Sequence, residues 1–460
     1  MLFPTATFAV FFMIVLPVSW ALQRHRRAWT VWILLASYVF YGWWDWRFVF
    51  LLVASTVVNH VLALAIFRAP TITARKAFLT LAVAFDVGLL AYFKYAGFFV
   101  SSFDNVVGTS WLVDVTLPVG ISFFTFMAIS YVVDTYRGEV VPASFSRFAV
   151  FQAFFPHLVA GPIVRASELM PQLETPRDPR RVDNPRAFFL IVSGLFLKVV
   201  VANHLATHIV DPVFAAPNRA SSLEVLVAIY GYAVQIFADF CGYTNIAIGV
   251  ALLLGFQFPQ NFNSPYAAVS LQDFWRRWHM TLSRWLRDYL YIPLGGSRKG
   301  RVRTYVNLML TMLLGGLWHG AAWTFVAWGA IHGTGLCIER AIGRRPASTA
   351  AVWFGRILTF QIVCFAWVFF RADSFGRAWQ MLQRLFDAWG QPSPLVTTSV
   401  VAAIVFGIAV QYVRPGALRW IELRFGRLAT ALQAACLAGC LLVIDALGPQ
   451  GVAPFIYFRF

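Results

Sequence analysis

The chain has 460 residues, of which 59% are hydrophobic and 12% are charged. This composition excludes a soluble globule of that size, because too little polar surface is left to cover it. The formal net charge of +17 suits a membrane surface or a nucleic acid. The arginines stand in short loops between apolar runs, which indicates membrane topology and no nucleic-acid partner.

Ten mostly apolar runs are candidate membrane spans, since about 20 apolar residues cross the hydrocarbon core as a helix. They lie near residues 3–20, 29–44, 48–67, 77–97, 117–136, 187–210, 224–253, 351–370, 396–413 and 428–447. The first is interpreted as a retained span rather than a cleaved signal peptide, because no basic residue precedes it. Basic loops lie at 24–27, 68–76, 137–147, 165–186, 256–304, 340–345 and 414–427. With these loops on the cytoplasmic side, the prediction is an all-α polytopic membrane protein with both termini outside.

Two segments do not fit this alternation of spans between the two sides of the membrane, because each begins and ends in a basic loop. The segment 148–164 carries Pro156 and Gly161 near its centre and is expected to dip into the membrane and return. The segment 303–339 is interrupted by Gly315, Gly316 and Gly320 near its midpoint and is expected to form a tight hairpin or a re-entrant pair. Irregular backbone at that depth needs protein or a water-filled cavity around it, so both breaks are candidate walls of a site.

The segment 256–304 is too charged to span and too aromatic to be a plain linker. Trp275, Trp278 and Trp285 alternate with arginines, a pattern typical of interfacial helices whose aromatic rings face the acyl chains. Anionic lipid head groups are the default partner of its cations, and the phosphates of a nucleotide-like acyl donor are the sharper alternative. This basic patch comprises Arg276, Arg277, Arg284, Arg287, Arg298, Lys299 and Arg301. No internal repeat is apparent, so a single domain over 1–460 is predicted.

Two histidines are the strongest candidates for chemistry. His319 follows a tryptophan and precedes a glycine that lets backbone or substrate approach closely. An ionisable group inside a membrane is a functional candidate, and imidazole suits general-base work near neutral pH. The alternative is a structural histidine bonded to a carbonyl. His279 either anchors an interfacial helix or orients an acyl donor or hydroxyl. Supporting roles are expected for His157 and His332.

The remaining polar groups are open to several interpretations. Asp239 and Tyr243 lie inside a predicted span, where they line a cavity, pair with an arginine or form a hydrogen-bonded knot between helices. No metal site is predicted, because the pair His204 and His208, spaced i,i+4, has no evident carboxylate partner. No tightly bound cofactor is predicted either.

Several stretches of the chain match a known family. They are LPVGISFFTF from Leu117, ISYVVDTYRG from Ile129, FPHLVAGPIVR from Phe155, FPQNFNSPY from Phe258, the segment 273–296, LWHGAAW from Leu317, the FFRA sequence at Arg371 and FIYFRF over 455–460. The chain resembles the bacterial branch of the membrane-bound O-acyltransferases (MBOAT), and within it the membrane subunits of alginate O-acetylation. The resemblance runs essentially from end to end.

The resemblance implies a ring of about 10–12 transmembrane helices, with re-entrant or interfacial helices, around a central channel. That channel would join a cytoplasmic donor entrance, bearing the basic patch, to an extracytoplasmic acceptor entrance. His319 would be catalytic and His279 its partner. Residues expected to line the substrate channel are Trp318, Gly316, Gly320, Trp323, Asp239, Tyr243, Asn261 and Asn263.

The function implied is O-acetyl transfer across the bacterial inner membrane. An acetyl group would come from a cytoplasmic thioester, acetyl-CoA or an acyl carrier, and reach an exported polysaccharide such as alginate through a hydroxyl on a periplasmic SGNH-type acetyltransferase. His319 would act as base on that hydroxyl, and His279 would position the thioester or polarise its carbonyl. Alternatives are D-alanine transfer to teichoic acid, or acetylation of peptidoglycan or cellulose. A lipid or acyl transporter is the non-enzymatic alternative, and it would show paired mid-membrane charges and repeat symmetry.

Overall fold

A computed structural model of the chain describes residues 1–108, 115–343, 348–448 and 455–456. Within these ranges the regular structure is entirely helical, which confirms the all-α class. Residues 344–345 of the basic loop 340–345 and residues 457–460 of the FIYFRF motif lie outside the described residues. The chain, predicted as one domain, divides into two compact units.

Unit 1 contains residues 1–187 and 247–259. A threonine begins its first helix, because Thr5 Oγ1 accepts a hydrogen bond from Phe8 N–H that the helix leaves without a partner. A π-helical turn, Ala91–Tyr95, joins α4 to α5 into one long apolar run. The helices are α1 (Ala6–Leu22), α2 (Arg26–Gly42), α3 (Arg47–Arg68), α4 (Ile72–Leu90), α5 (Ala96–Val107), α6 (Ile121–Arg137), α7 (Phe145–Ala153), α8 (Phe155–Leu158) and α9 (Ala166–Glu174).

The predicted break in 148–164 is present in unit 1. Helix α7 ends at Ala153, α8 has four residues, and the chain then runs without helix to Arg165. His157 is fully buried there, and its Nε2–H donates to the Phe151 carbonyl oxygen at 3.0 Å. This hydrogen bond ties the buried His157 ring to the nearby backbone, so His157 stabilises the local structure.

Unit 2 contains residues 188–246 and 260–460. Two π-helical turns join α10, α11 and α12 into the run Asn184–Ala215. The helices are α10 (Asn184–Leu195), α11 (Asn203–Leu205), α12 (Asp211–Ala215), α13 (Ser222–Leu253), α14 (Leu271–Arg277), α15 (Met280–Leu286), α16 (Arg301–His319), α17 (Trp323–Ile342), α18 (Thr349–Arg371), α19 (Phe375–Asp387), α20 (Thr398–Ala409), α21 (Pro415–Gly426) and α22 (Thr430–Leu447). The start of α10 and the end of α13 belong to unit 1.

All ten predicted spans coincide with helices. Among the described residues, six helical segments are long and apolar enough to cross a membrane, and one bent pair of helices would make a seventh. Helices α1, α2 and α6 have 17 residues each. Each is therefore about 26 Å long, slightly shorter than the hydrocarbon core of about 30 Å. The protein is therefore a multi-pass membrane protein. The six are Arg47–Arg68, Ile72–Asp104, Asn184–Ala215, Ser222–Leu253, Thr349–Arg371 and Thr430–Leu447, and the bent pair is Thr398–Tyr412 with Gly416–Gly426.

The segment 303–339 forms a tight hairpin, one of the two predicted alternatives. Helix α16 continues through Gly315 and Gly316 and ends at His319, so the interruption predicted at this glycine pair is wrong and the one predicted at Gly320 is present. The chain turns instead within residues 320–322, before α17 begins. His319 is thereby placed on the last turn of a helix, next to the corner of the hairpin.

The segment 256–304 contains the short helices α14 and α15 rather than a span. Ser270 Oγ accepts from Asp273 N–H at 3.1 Å and begins α14. Trp278 and Trp285 are buried within unit 2, so the prediction that these two rings face acyl chains is wrong. Their burial brings the corner between α14 and α15 into the protein interior.

Candidate active site

His279 occupies the corner between α14 and α15. Its backbone lies in the left-handed region, with φ 41° and ψ 55°, a conformation that costs a non-glycine residue about 1–2 kcal/mol. Two backbone hydrogen bonds hold the corner: Met280 N–H donates to the Asn261 carbonyl oxygen at 2.9 Å, and Asn263 N–H donates to the Arg277 carbonyl oxygen at 2.9 Å. Backbone strain that the surroundings maintain is a feature of functional sites.

The side chain of Asn261 holds the His279 ring. Asn261 Oδ1 accepts from Thr281 N–H at 3.1 Å, from Thr281 Oγ1–H at 2.9 Å and from His279 Nδ1–H at 3.1 Å. Both Asn261 and His279 are fully buried. His279 lies outside the candidate spans, and burial lowers the pKa of its ring to about 3. The imidazole is therefore neutral near pH 7.

His319 faces the same interior as His279. It is 2% exposed, and its ring centroid lies 6.5 Å from that of His279. Aromatic rings surround it, with centroids 5.0 Å away for Trp318, 5.0 Å for Trp328 and 5.3 Å for Phe370. The structure thus brings the two candidate histidines together inside an aromatic wall, where little water weakens electrostatic interactions.

The candidate channel residues on α16 and α17, in the turn between them and before α14 occupy different surroundings. Trp318 is buried beside both histidines, 6.1 Å from the His279 ring. Gly316 and Gly320 pack against α17. Trp323 and Asn263 are exposed. A channel-lining role for these residues stays a prediction.

Asp239 and Tyr243 belong to a buried cluster on α13. Asp239 forms an ion pair with Lys198, not with an arginine, and both side chains are almost fully buried. Asp239 Oδ2 also accepts from Ile456 N–H at 2.8 Å, and the Phe455 ring lies 4.6 Å from the Tyr243 ring. Residues 455–456 are therefore anchored on α13, and one pair of charges inside the apolar helices joins α13 to the α10–α12 run.

A cavity of about 470 Å³ lies beside α14 and α15. Arg276, Arg284 and Arg287 line it, together with apolar side chains that include Met280 and Met312. Neither candidate histidine belongs to the described residues that line this cavity. Met280, which directly follows His279 in sequence, links the two features.

The rest of the predicted basic patch lies elsewhere. Arg277 donates to Asp273 Oδ1 at 2.8 Å and makes an i,i+4 pair on α14. Arg298 and Lys299 are exposed in the loop that precedes α16. The structure therefore concentrates three of the predicted cations at one cavity and separates the others from it.

The chain is similar in sequence to known proteins. A model of the membrane-bound O-acyltransferase family matches residues 92–375. The probable alginate O-acetylase AlgI of Pseudomonas aeruginosa is 43% identical over 82% of this chain and 74% of its own length. The peptidoglycan O-acetyltransferase of Helicobacter pylori is 38% identical over 77% of this chain and 73% of its own length. A teichoic acid D-alanyltransferase of Streptococcus thermophilus is 30% identical over 48% of this chain and 57% of its own length.

The family match covers more than half of the chain, and the relatives' similarity extends on both sides of the candidate histidines. These findings confirm the resemblance drawn from the sequence motifs. The chain belongs to the membrane-bound O-acyltransferase family and is an O-acyltransferase.

Proposed function

We propose that the chain is a bacterial inner-membrane O-acetyltransferase. It takes an acetyl group from a cytoplasmic thioester, acetyl-CoA or an acyl-carrier thioester, and passes it across the membrane toward an exported polysaccharide. The observation that carries this proposal is the pair of buried imidazoles, 6.5 Å apart between ring centroids, in the same unit as a cationic cavity. Both transfer chemistry and recognition of a phosphate-bearing donor are supported by this arrangement.

The cavity supports a donor that carries phosphate groups. Arg276, Arg284 and Arg287 line it, with the Arg287 guanidinium also bonded to Asp288, and guanidinium binds phosphate oxygens in bidentate fashion. Its volume of about 470 Å³ falls within the range of about 300–1,000 Å³ for small-molecule sites. Met280 and Met312 suit a thin, flexible pantetheine-like arm, because methionine side chains adapt their shape. The segment 256–304 that carries the arginines is basic, which favours the cytoplasmic side.

The chemistry requires two functions near the reacting carbonyl. One group accepts the proton of the attacking hydroxyl, and another stabilises the negative charge that develops on the carbonyl oxygen. His279 and His319 together supply these two functions, because their ring centroids lie 6.5 Å apart and both rings can contact one reacting group. Because neither ring lines the cavity, the route between Met280 and the histidines has to open when the donor binds.

The acceptor is proposed to be a hydroxyl on a periplasmic SGNH-type acetyltransferase, which then modifies the polymer. Alginate is the first candidate polymer, because the 43% identical Pseudomonas relative is named a probable alginate O-acetylase. Peptidoglycan is the second, from the 38% identical Helicobacter relative. Membrane lipids are the other partners, through the exposed apolar side chains of the spans.

Inverted membrane vesicles, with the cytoplasmic face outward, test the proposal. Acetyl-CoA labelled in the acetyl group is added outside, and free thiol and label protected in the lumen are measured. The wild-type chain should release thiol and deliver label to acceptor inside, and His319→Ala should abolish both. A D-alanyl carrier thioester serves as the parallel donor. Use of that donor in place of acetyl-CoA would move the function to D-alanyl transfer, and transfer unaffected by His319→Ala would reject the site.

A further inference from the structure

We propose that unit 1 contains a binding site for the glycerol phosphate head group of an anionic lipid, phosphatidylglycerol. The site is a second cavity, of about 220 Å³, between the corner that joins α1 to α2 and the segment that follows α9. The described residues that line it all belong to unit 1, so the site is separate from the candidate histidines. The lining includes Gln23, Arg24, Arg26, Trp29, Arg177 and Phe256.

Arg177 is held in this cavity as a preorganised cation. Its Cζ atom lies 4.1 Å from the centroid of the Trp29 ring and 4.7 Å from that of Phe256. Its Nη1–H donates to the Leu254 carbonyl oxygen at 2.8 Å. The Trp29 ring is fixed in turn, because its Nε1–H donates to Ser19 Oγ at 2.8 Å. A guanidinium has further N–H donors, and these remain for the oxygens of a phosphate group.

The cations of the cavity outnumber its acids. Within the described part of the chain, Arg24, Arg26 and Arg177 form no ion pair. The carboxylate of Glu174 also lines the cavity, but it pairs with Arg147. Burial lowers the pKa of Arg177 to about 10, which leaves the guanidinium charged at pH 7. A partly buried cation without a counter-ion favours an anionic ligand.

The neutral groups of the cavity indicate the rest of the ligand. Gln23 Oε1 is buried and has no hydrogen-bond partner among the residues described. A buried acceptor needs a donor, and the hydroxyl groups of glycerol donate, whereas an ionised phosphate only accepts. The volume of about 220 Å³ is smaller than the roughly 300 Å³ at which sites for drug-sized molecules begin. The cavity therefore suits a head group better than a whole nucleotide.

The surroundings of the cavity indicate a lipid rather than a soluble phosphate. The exposed apolar residues of α1 lie on one face, at spacings of three or four: Val10, Ile14, Pro17 and Ala21. Arg24, just beyond the end of α1, continues this spacing and is also exposed. An acyl chain packed along this face places its head group at Arg24 and so at the cavity. Basic pockets at the cytoplasmic ends of spans bind anionic head groups in this way.

Native mass spectrometry of the full-length protein in detergent, titrated with phosphatidylglycerol, measures the affinity for the first bound lipid. Arg24→Gln should weaken it by about 10-fold, because one charge-assisted contact is lost. This change breaks no hydrogen bond among the described residues, so the fold should survive. Arg27→Gln is the matched control: Arg27 is exposed in the same basic loop but does not line the cavity. Its effect should stay below about 2-fold, because water and salt screen the charge.

Three other ligands test the chemistry of the site. Phosphatidylcholine should bind at least about 10-fold more weakly than phosphatidylglycerol, because its choline group brings a cation beside the arginines. Soluble glycerol phosphate should also bind at least about 10-fold more weakly, because it lacks the acyl contacts. Phosphatidic acid has the phosphate without the glycerol. Gln23→Leu should remove the preference for phosphatidylglycerol over phosphatidic acid and leave binding of phosphatidic acid intact.

Two results would overturn the site: equal weakening by Arg24→Gln and Arg27→Gln, which means diffuse attraction by surface charge, or equal binding of phosphatidylglycerol and phosphatidylcholine. Soluble glycerol phosphate that bound as tightly as the lipid would overturn the lipid as the source of the phosphate. A Gln23→Leu protein that kept its preference for phosphatidylglycerol would remove the glycerol contact from the proposal. None of these measurements depends on acyl transfer.

Discussion

Replacing Gly316 with alanine tests how closely α16 and α17 pack. Helix propensity alone favours alanine over glycine by about 0.8–1 kcal/mol. A Cβ at Gly316 would collide with the carbonyl oxygen of Phe325 on α17, an atom held by the backbone. Overpacking of this kind costs about 3 kcal/mol at the upper end of its usual range. We therefore expect Gly316→Ala to lower the free energy of unfolding by roughly 2 kcal/mol.

Gly315 provides the matched control in the same helix. A Cβ there would meet only Leu286 Cδ1, at 3.2 Å, and that methyl group ends a flexible side chain. Gly315→Ala should therefore gain up to about 1 kcal/mol from helix propensity. The two neighbouring substitutions should differ by roughly 3 kcal/mol with opposite signs.

Unfolding by a denaturing detergent, followed by helical circular dichroism, measures this difference on the full chain. Expression of Gly316→Leu should also fall, because its larger side chain meets the same carbonyl. On the sequence expectation, by contrast, Gly316 lines a channel, and a large side chain there would cost activity with little loss of expression. Equal stability of the two alanine variants, or a Gly316→Ala protein more stable than wild type, would refute the close packing.

Three further predictions follow from named contacts. Asp239→Ala leaves the Lys198 charge buried and should cost about 3–5 kcal/mol in the unfolding assay, and the double variant with Lys198→Met should recover part of the loss; no recovery would argue against the pair. Arg284→Ala should raise KM for acetyl-CoA by about 10-fold through loss of a charge-assisted phosphate contact, whereas Arg298→Ala, outside the cavity, should not. Ser297→Cys should be labelled by an impermeant reagent only from the cytoplasmic side, and labelling in intact cells would invert the topology.

The positions of the helices could be predicted because apolar length is encoded locally. Each of the ten predicted runs coincides with a helix. The interruption predicted at Gly315 and Gly316 was wrong, because a glycine pair in an apolar run marks either a break or a close helix contact. Only the position of Phe325 opposite α16 distinguishes the two. Trp278 and Trp285 were misplaced for a similar reason, since a tryptophan beside an arginine suits a lipid interface and a protein interior alike.

The candidate histidines could be predicted, but their partners could not. Sequence motifs singled out His279 and His319, and Asn261 only as one of several channel residues. The hydrogen bond from His279 Nδ1 to Asn261 spans 18 positions and depends on a left-handed backbone that no local pattern announces. Lys198 lies 41 positions before Asp239 in another apolar run. A lone lysine there indicates that a partner is needed, without indicating which acid supplies it.

The contact between Asn261 and His279 joins the stability of the site to its chemistry. A buried imidazole without hydrogen bonds is costly, and the Asn261 oxygen satisfies Nδ1. The same bond leaves the lone pair on Nε2, so the interaction that makes burial tolerable also fixes the tautomer of the ring. Asn261→Leu, which keeps the apolar volume and removes the acceptor, should therefore cost about 1–3 kcal/mol of stability and release the tautomer together. A variant that lost stability and still held hydrogen on Nδ1, as measured by nitrogen-15 NMR of the histidine-labelled protein, would show that the two effects have separate origins.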